Sequence, residues 1–380
     1  MTIGIDIRVL GSQAKSGIEE YTENLLAYLL PLDKSIRYKL FFSSWKSSLE
    51  NYEWLSLSNI EIVKYKIPNR LLFYSSSFFN APFVDQLLGG VDVFFSPHFF
   101  ITALSPVCRR ITTFHDLSFI HFPEFFSWRK KIWHNFEMKP LWQSRFSDRI
   151  IAVSESTKND LINFYGVDPA KITVIYSGIS PAIKIPDIVS LEEFKKNNNI
   201  PDKFILFLGK LEPRKNIAGL IRAFSIIKED KFFSDFCLVV AGSRGWLDKD
   251  IFSEIKRSKH KNDIILKGHI ADEERAFFYS LASAFVYPSF FEGFGFPPLE
   301  AMACRTPVII ANNSSLPEVA GRGAILVDPA NLHEISYAVT KAVKNKSFRD
   351  RLISDGLNVA SSFNWNKTAE KTLECLTGVF

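Results

Sequence analysis

The sequence predicts an α/β protein made of two doubly wound domains, each a mostly parallel sheet with helices on both faces. The chain has 380 residues, and because a domain usually holds roughly 100 to 200 residues, two are expected. Short apolar runs that suit buried strands alternate with segments of helical spacing. A stretch of little periodicity that contains glycine and proline, "SGISPAIKIPDIVS" from Ser177, separates the halves. We expect a first domain over 1–180, a linker over 181–199 and a second domain over 200–362.

The first domain begins with a predicted strand, "IGIDIRVL", followed by a helix that starts at Gly17 and has apolar residues at helical spacing. Further strands are expected at "YKLFFSS", "IEIVKYKI", "VDVFFSP", "RRITTFHD" and "RIIAVS". Helical patterns cover about 127–146 and 157–165.

The second domain repeats this alternation. Its predicted buried strands are "FILFLG", "FCLVVAG", "IILKG", "AFVYPS", "PVIIAN" and "GAILVD". The tail over 363–380, with "NWNKTAEKTLECL", predicts a terminal helix. Because ligands of doubly wound sheets bind beyond the carboxyl ends of the strands, the residues after each strand are the first to examine.

Composition restricts the class of protein and its environment. The chain has 46 basic and 41 acidic residues, a net charge of +5 that does not indicate a nucleic-acid-binding protein. The cysteines are scattered without metal-binding or disulfide spacing: Cys108, Cys237, Cys304 and Cys375. The sequence shows no signal peptide and no apolar run of about 20 residues. We expect a cytoplasmic protein, soluble or bound to the surface of a membrane.

The first candidate site is "GKLEPRKNIAGL", where a strand ends at Gly209 and a helix begins near Asn216. Arg214 and Lys215 lie in the loop between them. Two cations beside the free N–H groups of a helix start suit a diphosphate. The alternative is an ordinary solvated loop, which most basic pairs occupy.

The second candidate is "FFEGFGFPPLEAMA", in which Glu292 and Glu300 stand eight positions apart. Glu300 alone could be a carboxylate in the first turn of a helix, stabilising its dipole, but this does not explain Glu292 before the turn. Gly293 and Gly295 allow backbone amides to approach a ligand, and each carboxylate can accept hydrogen bonds from vicinal hydroxyls. A ligand in which two polyol groups flank a diphosphate is a nucleotide sugar.

These stretches resemble the retaining family-4 glycosyltransferases. Glu292 to Glu300 matches their E-x7-E motif, and "LEPRKN" matches their Arg and Lys pair. The stretches "KSGIEEYTENLL", "TFHDLSF" and "AVSESTKNDL" agree in order and spacing over nearly the whole chain. The resemblance implies a GT-B fold, with two Rossmann-like domains facing across a cleft and a C-terminal helix that returns to the first domain.

The resemblance also implies roles for individual residues. Arg214 and Lys215 would hold the donor diphosphate, Glu300 the ribose hydroxyls, and Glu292 the transferred sugar. The catalytic set implied is His115, Arg214, Lys215 and Glu292. The remaining substrate-binding positions are Gly17, Ser154, Gly209, Ile270 for the base, and Phe294, Gly295 and Phe296 beside the sugar.

His115 follows an apolar run and is therefore expected at the carboxyl end of a strand. A lone histidine is more often structural, but a neutral imidazole here could donate to or accept from the transferred sugar. Asp116 is expected to hold the loop by accepting backbone N–H groups. Gly17 departs from the usual family pattern because Glu19 and Glu20 follow it, and these acids should turn away from a phosphate.

No cofactor and no metal are expected. Asp248 and Asp250 form a D-x-D pattern, with which many other glycosyltransferases hold a metal, but "WLDKD" is interpreted as a solvated helical surface. Arg214 and Lys215 would supply the positive charge instead.

The stretch "TFHDLSFIHFPEFFSWRKKIW" resembles the mannosyltransferase branch that builds lipopolysaccharide O-antigen and other surface polysaccharides. This implies GDP-mannose as donor and a glycan, free or linked to a polyprenyl diphosphate, as acceptor. A sugar-nucleotide epimerase and a non-catalytic nucleotide-sugar-binding module remain alternatives. A dinucleotide oxidoreductase is disfavoured because "GSQAKSG" lacks the G-x-G-x-x-G pattern.

The segment 125–146 interleaves aromatic and basic residues. Trp128, Ile132 and Phe136 fall on one helical face, with Arg129 to Lys131 beside it. Such a helix could bind the inner face of the cytoplasmic membrane. The alternative is a core helix with a solvated basic face.

Overall fold

The computed structural model describes residues 1–11, 17–45 and 49–378, with the side chains of 135–137 excepted. The chain divides into two compact units. Unit 1 comprises Met1–Phe119, Trp128–Gly178 and Asn364–Phe380, and unit 2 comprises Ile120–Ser127 and Ile179–Phe363. Each unit has its own parallel sheet.

Within its described residues, unit 1 contains a seven-stranded sheet in the order β3-β2-β1-β4-β5-β6-β7. All neighbouring strands pair in parallel. The strands are β1 (Thr2–Asp6), β2 (Arg37–Ser43), β3 (Ile60–Tyr65), β4 (Val93–Ser96), β5 (Arg109–Phe114), β6 (Arg149–Ala152) and β7 (Ile172–Val174). The six predicted strands are confirmed, but the first is shorter than expected because a 3₁₀ turn begins at Arg8. The sequence analysis missed β7.

The helices of unit 1 follow the strands as a doubly wound fold requires. They are α1 (Gly17–Leu29), α2 (Asn69–Phe79), α3 (Val84–Leu87), α4 (Ser118–His121, at the unit boundary), α5 (Trp128–Ile132), α6 (Pro140–Phe146), α7 (Glu155–Tyr165) and, at the C-terminus, α16 (Trp365–Thr377). The helical pattern over 127–146 is interrupted by a π-helical turn over Trp133–Met138. Pro140 lacks a backbone N–H and Lys139 adopts a left-handed conformation (φ 44°), so one continuous helix cannot form.

The C-terminal helix belongs to unit 1, as the resemblance implied. The Tyr21 ring of α1 contacts the Trp365 ring of α16, with centroids 5.8 Å apart, and both side chains are buried. Gly178 permits this close packing, because a Cβ there would lie 2.4 Å from the backbone nitrogen of Trp365. The chain therefore returns to the first unit after completing the second.

Within the part of unit 2 that the structure describes, the sheet has six parallel strands in the order β10-β9-β8-β11-β12-β13. They are β8 (Phe204–Leu208), β9 (Cys237–Ala241), β10 (Ile264–Gly268), β11 (Ala284–Tyr287), β12 (Val308–Ala311) and β13 (Ala324–Val327). All six were predicted, and both units share the 3-2-1-4-5-6 order of nucleotide-binding α/β sheets.

The helices of unit 2 are α8 (Ile188–Asn197), α9 (Ile217–Ile227), α10 (Lys249–Arg257), α11 (Asp272–Leu281), α12 (Phe296–Ala303), α13 (Leu316–Ala320), α14 (Leu332–Lys344) and α15 (Lys346–Ser361). Helix α8 lies inside the predicted linker, for which the sequence analysis had proposed no helix. Asp187 caps it by accepting from the backbone N–H of Ser190 at 2.9 Å. No residue of α8 is buried, which explains its weak apolar pattern. Nowhere in the described ranges is a helix both long and apolar enough to span a membrane.

Candidate functional site

The order of strands in unit 2 reverses between β8 and β11. The chain continues from β8 to β9 on one side of the sheet, while β11 lies on the other side. The loops after β8 and β11 therefore lie on either side of this switch point, at the carboxyl ends of the strands, where ligands of such sheets bind. The two predicted motifs occupy these two loops.

Arg214 and Lys215 both contact Glu292, although 77 or more positions separate them in sequence. Lys215 Nζ lies 2.7 Å from Glu292 Oε1, and Arg214 NH1 lies 3.2 Å from Glu292 Oε2. The cations sit on a 3₁₀ turn, Pro213–Lys215, that precedes α9. The structure thus brings together the three residues that the sequence assigned to the diphosphate and the sugar.

Two further side chains complete this charged cluster, and the sequence analysis assigned neither. Arg214 NH2 donates to Glu212 Oε1 at 3.0 Å, and Lys215 Nζ donates to the Tyr287 hydroxyl at 2.6 Å. Glu212 lies within the "LEPRKN" motif, so its position there was an available signal. Tyr287 is the last residue of β11, and a polar aromatic at the carboxyl end of a buried strand was a second signal.

Burial and charge have opposing effects on these groups. Burial lowers the pKa of Lys215, and Glu292 opposes that shift. Burial alone would raise the pKa of Glu292, but Arg214 and Lys215 outweigh it, so this pKa lies below its ordinary value. Burial raises the pKa of Tyr287 well above its usual range. At neutral pH Glu292 is ionised and Tyr287 keeps its proton.

The loop that carries Glu292 is held by hydrogen bonds from the loop after β12. The Glu292 N–H donates to Ser314 Oγ at 2.9 Å, and Ser315 Oγ donates to the carbonyl oxygens of Glu292 and Phe294 at 2.9 and 3.0 Å. Gly295 closes the loop with φ 103°, a conformation that favours glycine, and Phe296 begins α12.

Glu300 lies in α12 and is completely buried. Its Oε1 accepts from Arg275 NH1 and its Oε2 accepts from the Tyr279 hydroxyl, both at 2.8 Å. The first turn of α12 contains no acidic residue, so the alternative of a first-turn carboxylate is wrong. Because the carboxylate is covered in this conformation, a ribose could reach it only after a neighbouring side chain moves. Its contact with ribose stays a prediction.

Both halves of the sequence match known families. Residues 190–359 match the family described as Glycosyl transferases group 1, and residues 15–183 match Glycosyltransferase Family 4. The chain is 32% identical to O-antigen chain mannosyltransferase B of Escherichia coli over 70% of this chain and 69% of that protein. The chain belongs to the family 4 glycosyltransferases. It is also 31% identical to O-antigen chain mannosyltransferase RfbU of Salmonella typhimurium, over 59% of this chain and 58% of that one.

Solved structures resemble this glycosyltransferase over its full length. Anabaena Alr3699/HepE, in complex with UDP and glucose, matches with a TM-score of 0.74 and 18% identity over 99% of both chains. At this identity the similarity concerns the fold, and it confirms the predicted GT-B type.

Two other predicted donor contacts lie at strand ends of unit 2 in this glycosyltransferase. Gly209 follows β8 directly, and its N–H donates to the Ala241 carbonyl oxygen at 2.9 Å. Ile270 is buried just beyond β10, the edge strand of the sheet. Their roles toward the diphosphate and the base stay predictions.

His115 follows β5 in unit 1, as predicted. Its Nε2 lies 2.8 Å from the Pro97 carbonyl oxygen, which can only accept, so Nε2 carries the proton and Nδ1 is an acceptor. Burial lowers the pKa of His115 to about 4, and the ring is neutral at physiological pH. Asp116 Oδ1 accepts from the Ser118 N–H at 3.0 Å, which confirms that it holds the loop.

Ser154 and Gly17 occupy helix starts of unit 1. Ser154 is fully buried and caps α7, its Oγ accepting from the Thr157 N–H at 3.1 Å. Gly17 is exposed and is the first residue of α1; residues 12–16 of its loop lie outside the described residues. A substrate contact by either residue stays a prediction.

The two aspartates of the D-x-D pattern have different surroundings in the structure. Asp248 is buried and paired with Arg244, whose Nε lies 2.7 Å from Oδ2, so its interpretation as a solvated residue is wrong. Asp250 is exposed, as expected. Among the residues described, no group of three or more His, Cys, Asp or Glu side chains could hold a metal.

Proposed function

We propose that this glycosyltransferase moves a hexose from a nucleotide diphosphate sugar to a hydroxyl of a glycan or lipid-linked glycan, with retention of configuration. Mannose from GDP-mannose is the first candidate. The observation that carries the proposal is the contact of both Arg214 and Lys215 with Glu292 at the switch point of unit 2. The mannosyltransferase names of its relatives support the choice of sugar.

Catalysis would depend on charge. As the bond from the anomeric carbon to the diphosphate breaks, negative charge grows on the leaving oxygens, and Arg214 and Lys215 would stabilise it without a metal. Glu292 would turn from the cations toward hydroxyls of the transferred sugar. His115 would accept a hydrogen bond from that sugar through Nδ1, and Glu300 would receive the ribose hydroxyls.

Retention would follow from attack by the acceptor hydroxyl on the face that the diphosphate leaves. The acceptor oxygen forms the new bond to the anomeric carbon, the bond to the diphosphate oxygen breaks, and the acceptor proton passes to the departing phosphate. No dedicated protein base is needed in this scheme.

The donor is identified by a thermal-shift screen of GDP-, UDP-, ADP- and dTDP-sugars. A ligand at 100 times its dissociation constant adds about 2.7 kcal/mol of stability. We expect GDP-mannose to give the largest shift. A larger shift with another nucleotide would replace it as the donor.

Transfer is tested by incubating the protein with GDP-mannose and a prenyl diphosphate oligosaccharide that ends in mannose. Release of GDP together with a lengthened glycan is the expected result, and NMR of the new linkage reports the anomeric configuration. An epimerase would change the sugar without lengthening a glycan, and a binding module would release no GDP; either result would contradict the proposal.

We also propose that the enzyme acts at the inner face of the cytoplasmic membrane through α5. Trp128 and Ile132 are 66% and 44% exposed, and Arg129 and Lys131 are exposed beside them. The side chain of Phe136, the third residue of the predicted stripe, lies outside the described residues. An exposed aromatic and basic face suits an anionic bilayer, where each Lys or Arg contributes about 1 kcal/mol.

The membrane proposal is tested by co-sedimentation with liposomes of graded phosphatidylglycerol content. The variant Arg129→Glu, Lys131→Glu should bind more than tenfold more weakly than the wild type, because two favourable charges become unfavourable. The control is Lys259→Glu, Lys261→Glu, which makes the same charge change at exposed positions of unit 2. Equal binding by both variants, or no binding by the wild type at low salt, would refute it.

A further inference from the structure

Unit 2 includes a short segment from the first half of the sequence, residues 120–127, which we call the aromatic strap. It runs from the last two residues of α4 to the residue before α5, and three of its rings contact the loop after β11. His121 packs on Phe291 with centroids 4.6 Å apart, and Phe125 stacks on Phe290 at 5.6 Å. Phe122 contacts both of these phenylalanines, at 6.4 and 6.3 Å.

A second set of contacts fixes the strap independently of these rings. Trp246 Nε1 donates to the Phe125 carbonyl oxygen at 2.6 Å, and the Phe126 ring lies 5.9 Å from the Trp246 ring. Phe126 is buried. Phe125 and Phe126, which the sequence analysis counted among possible membrane contacts, therefore pack within unit 2.

The Phe290–Phe291 pair that the strap contacts is joined directly to the charged cluster. The Phe290 N–H donates to the Arg214 carbonyl oxygen at 2.8 Å, and Arg214 NH1 donates to the Phe291 carbonyl oxygen at 2.6 Å. Glu292 is the next residue. The backbone of this pair thus takes part in orienting the guanidinium, together with Glu212 and Glu292, and leads directly into the residue that carries the carboxylate.

The loop after β11 has no strand or helix of its own before α12. Side chains of Ser314 and Ser315 fix its later part, at Glu292 and Phe294. The strap packs on its earlier part, at Phe290 and Phe291. Aromatic pairs stabilise a conformation by about two- to tenfold each beyond their burial, so three rings are enough to select one backbone conformation.

We propose that residues 120–127 are a positioning element of the donor site: their rings hold the Phe290–Phe291 backbone so that the Phe291 carbonyl oxygen directs Arg214 at the donor diphosphate. The inference rests on the proposed role of Arg214. It adds a determinant of diphosphate recognition that lies outside both sequence motifs.

The readout is the preference for a diphosphate over a monophosphate. Calorimetry gives the affinities of GDP against GMP, and of UDP against UMP, so that the result does not depend on which base the site prefers. Because hydrogen bonds to charged groups are the strong ones, we expect the wild type to favour its diphosphate about 10- to 100-fold. A general loss of packing would weaken both ligands alike and leave the ratio unchanged.

The test variants remove or conserve the ring contacts. Phe122→Ala, Phe125→Ala should lower the ratio at least fivefold, whereas Phe122→Leu, Phe125→Leu should stay within about twofold of the wild type. Trp246→Phe, which removes the hydrogen bond to the strap but keeps an aromatic ring beside Phe126, should lower the ratio less, and it replaces the double alanine variant if that variant does not fold. Phe232→Ala, at an exposed ring elsewhere in unit 2, is the control.

Two outcomes separate this inference from the proposed function. An unchanged ratio in folded Phe122→Ala, Phe125→Ala and in Trp246→Phe overturns the role of the strap. An unchanged ratio in Arg214→Met overturns instead the assignment of Arg214 to the diphosphate. A ratio that falls in Arg214→Met and in the strap variants, but not in Phe232→Ala, supports both.

Discussion

Replacing Glu292 by Gln removes one negative charge that two cations share and leaves the size of the side chain almost unchanged. In the structure the side chains of Lys215, Arg214 and Glu292 are only 9%, 14% and 8% exposed. The amide can still accept one hydrogen bond. The substitution therefore tests the charge of Glu292 rather than its packing.

The structure sets the expected size of the effect. Removing one partner of a buried ion pair costs about 3–5 kcal/mol because a buried charge is left without compensation. Glu212 still compensates Arg214 at 3.0 Å, so we expect the lower end, about 3 kcal/mol. For a domain of about 150–250 residues each kcal/mol lowers the melting temperature by about 2–4 °C, which gives a fall of about 6–12 °C.

A diphosphate should reverse this loss, because its negative charge replaces the missing carboxylate. We expect GDP or UDP to bind Glu292→Gln at least as tightly as the wild type and to raise its melting temperature by more. The transfer rate should fall, since the sugar loses a charged acceptor.

Differential scanning fluorimetry with and without each nucleotide, together with calorimetry, measures these effects. Glu229→Gln, at an exposed position of the same unit, is the matched control. A variant that melts with the wild type, or that binds the diphosphate tenfold more weakly, would refute the argument from charge compensation.

Three other predictions concern the nucleotide, the metal and pH. Glu300→Ala should weaken nucleoside diphosphate binding about 10- to 100-fold, since a hydrogen bond to a charged group contributes roughly 1.5–3 kcal/mol; unchanged affinity would leave Glu300 as a structural partner of Arg275. Turnover should survive EDTA, and loss that manganese restores would disprove metal independence. Burial lowers the pKa of His115 and His134 to about 4, so between pH 6.5 and 4 the unfolded chain binds protons that the folded chain does not. The contribution of these histidines to the free energy of unfolding should be fully present above about pH 6.5 and smaller by roughly 1 kcal/mol per histidine at pH 5.5. Urea titrations at the two pH values measure this difference. A His134→Gln variant with an undiminished pH dependence would contradict the prediction.

The sheets could be predicted because a strand buried on both faces is a continuous apolar run, and that signal is local. The prediction was wrong where a side-chain contact overrode the pattern. "IGIDIRVL" was expected to be one strand, but Arg8 Nε donates to Asp6 Oδ1 at 2.9 Å and the chain turns into a 3₁₀ helix at Arg8. Alternation of apolar residues cannot reveal an ion pair between residues two positions apart.

The sequence predicted which loops carry the candidate site, but it did not predict all the side-chain contacts within the site. Arg214 and Glu292 follow strands on either side of a switch point, and the strand order makes their proximity a consequence of topology. The partners of Glu300 gave no comparable signal. Arg275 and Tyr279 lie one helical turn apart on α11 and reach Glu300 only because α11 packs beside α12.

The aromatic strap shows why such contacts escape sequence reasoning. The pattern of Phe122, Phe125 and Phe126 indicates that rings will be buried, but burial is non-directional and does not name the partner. A membrane, a core or another segment satisfies the same pattern. Phe290 lies more than 160 positions further along the chain, and the intervening fold decides that it meets the strap. Phe125, which was predicted to be part of a membrane-binding segment, instead packs on Phe290, two positions before Glu292. A sequence motif can therefore indicate which residues act on the donor, while the residues that orient them are identified only by the packing of distant segments.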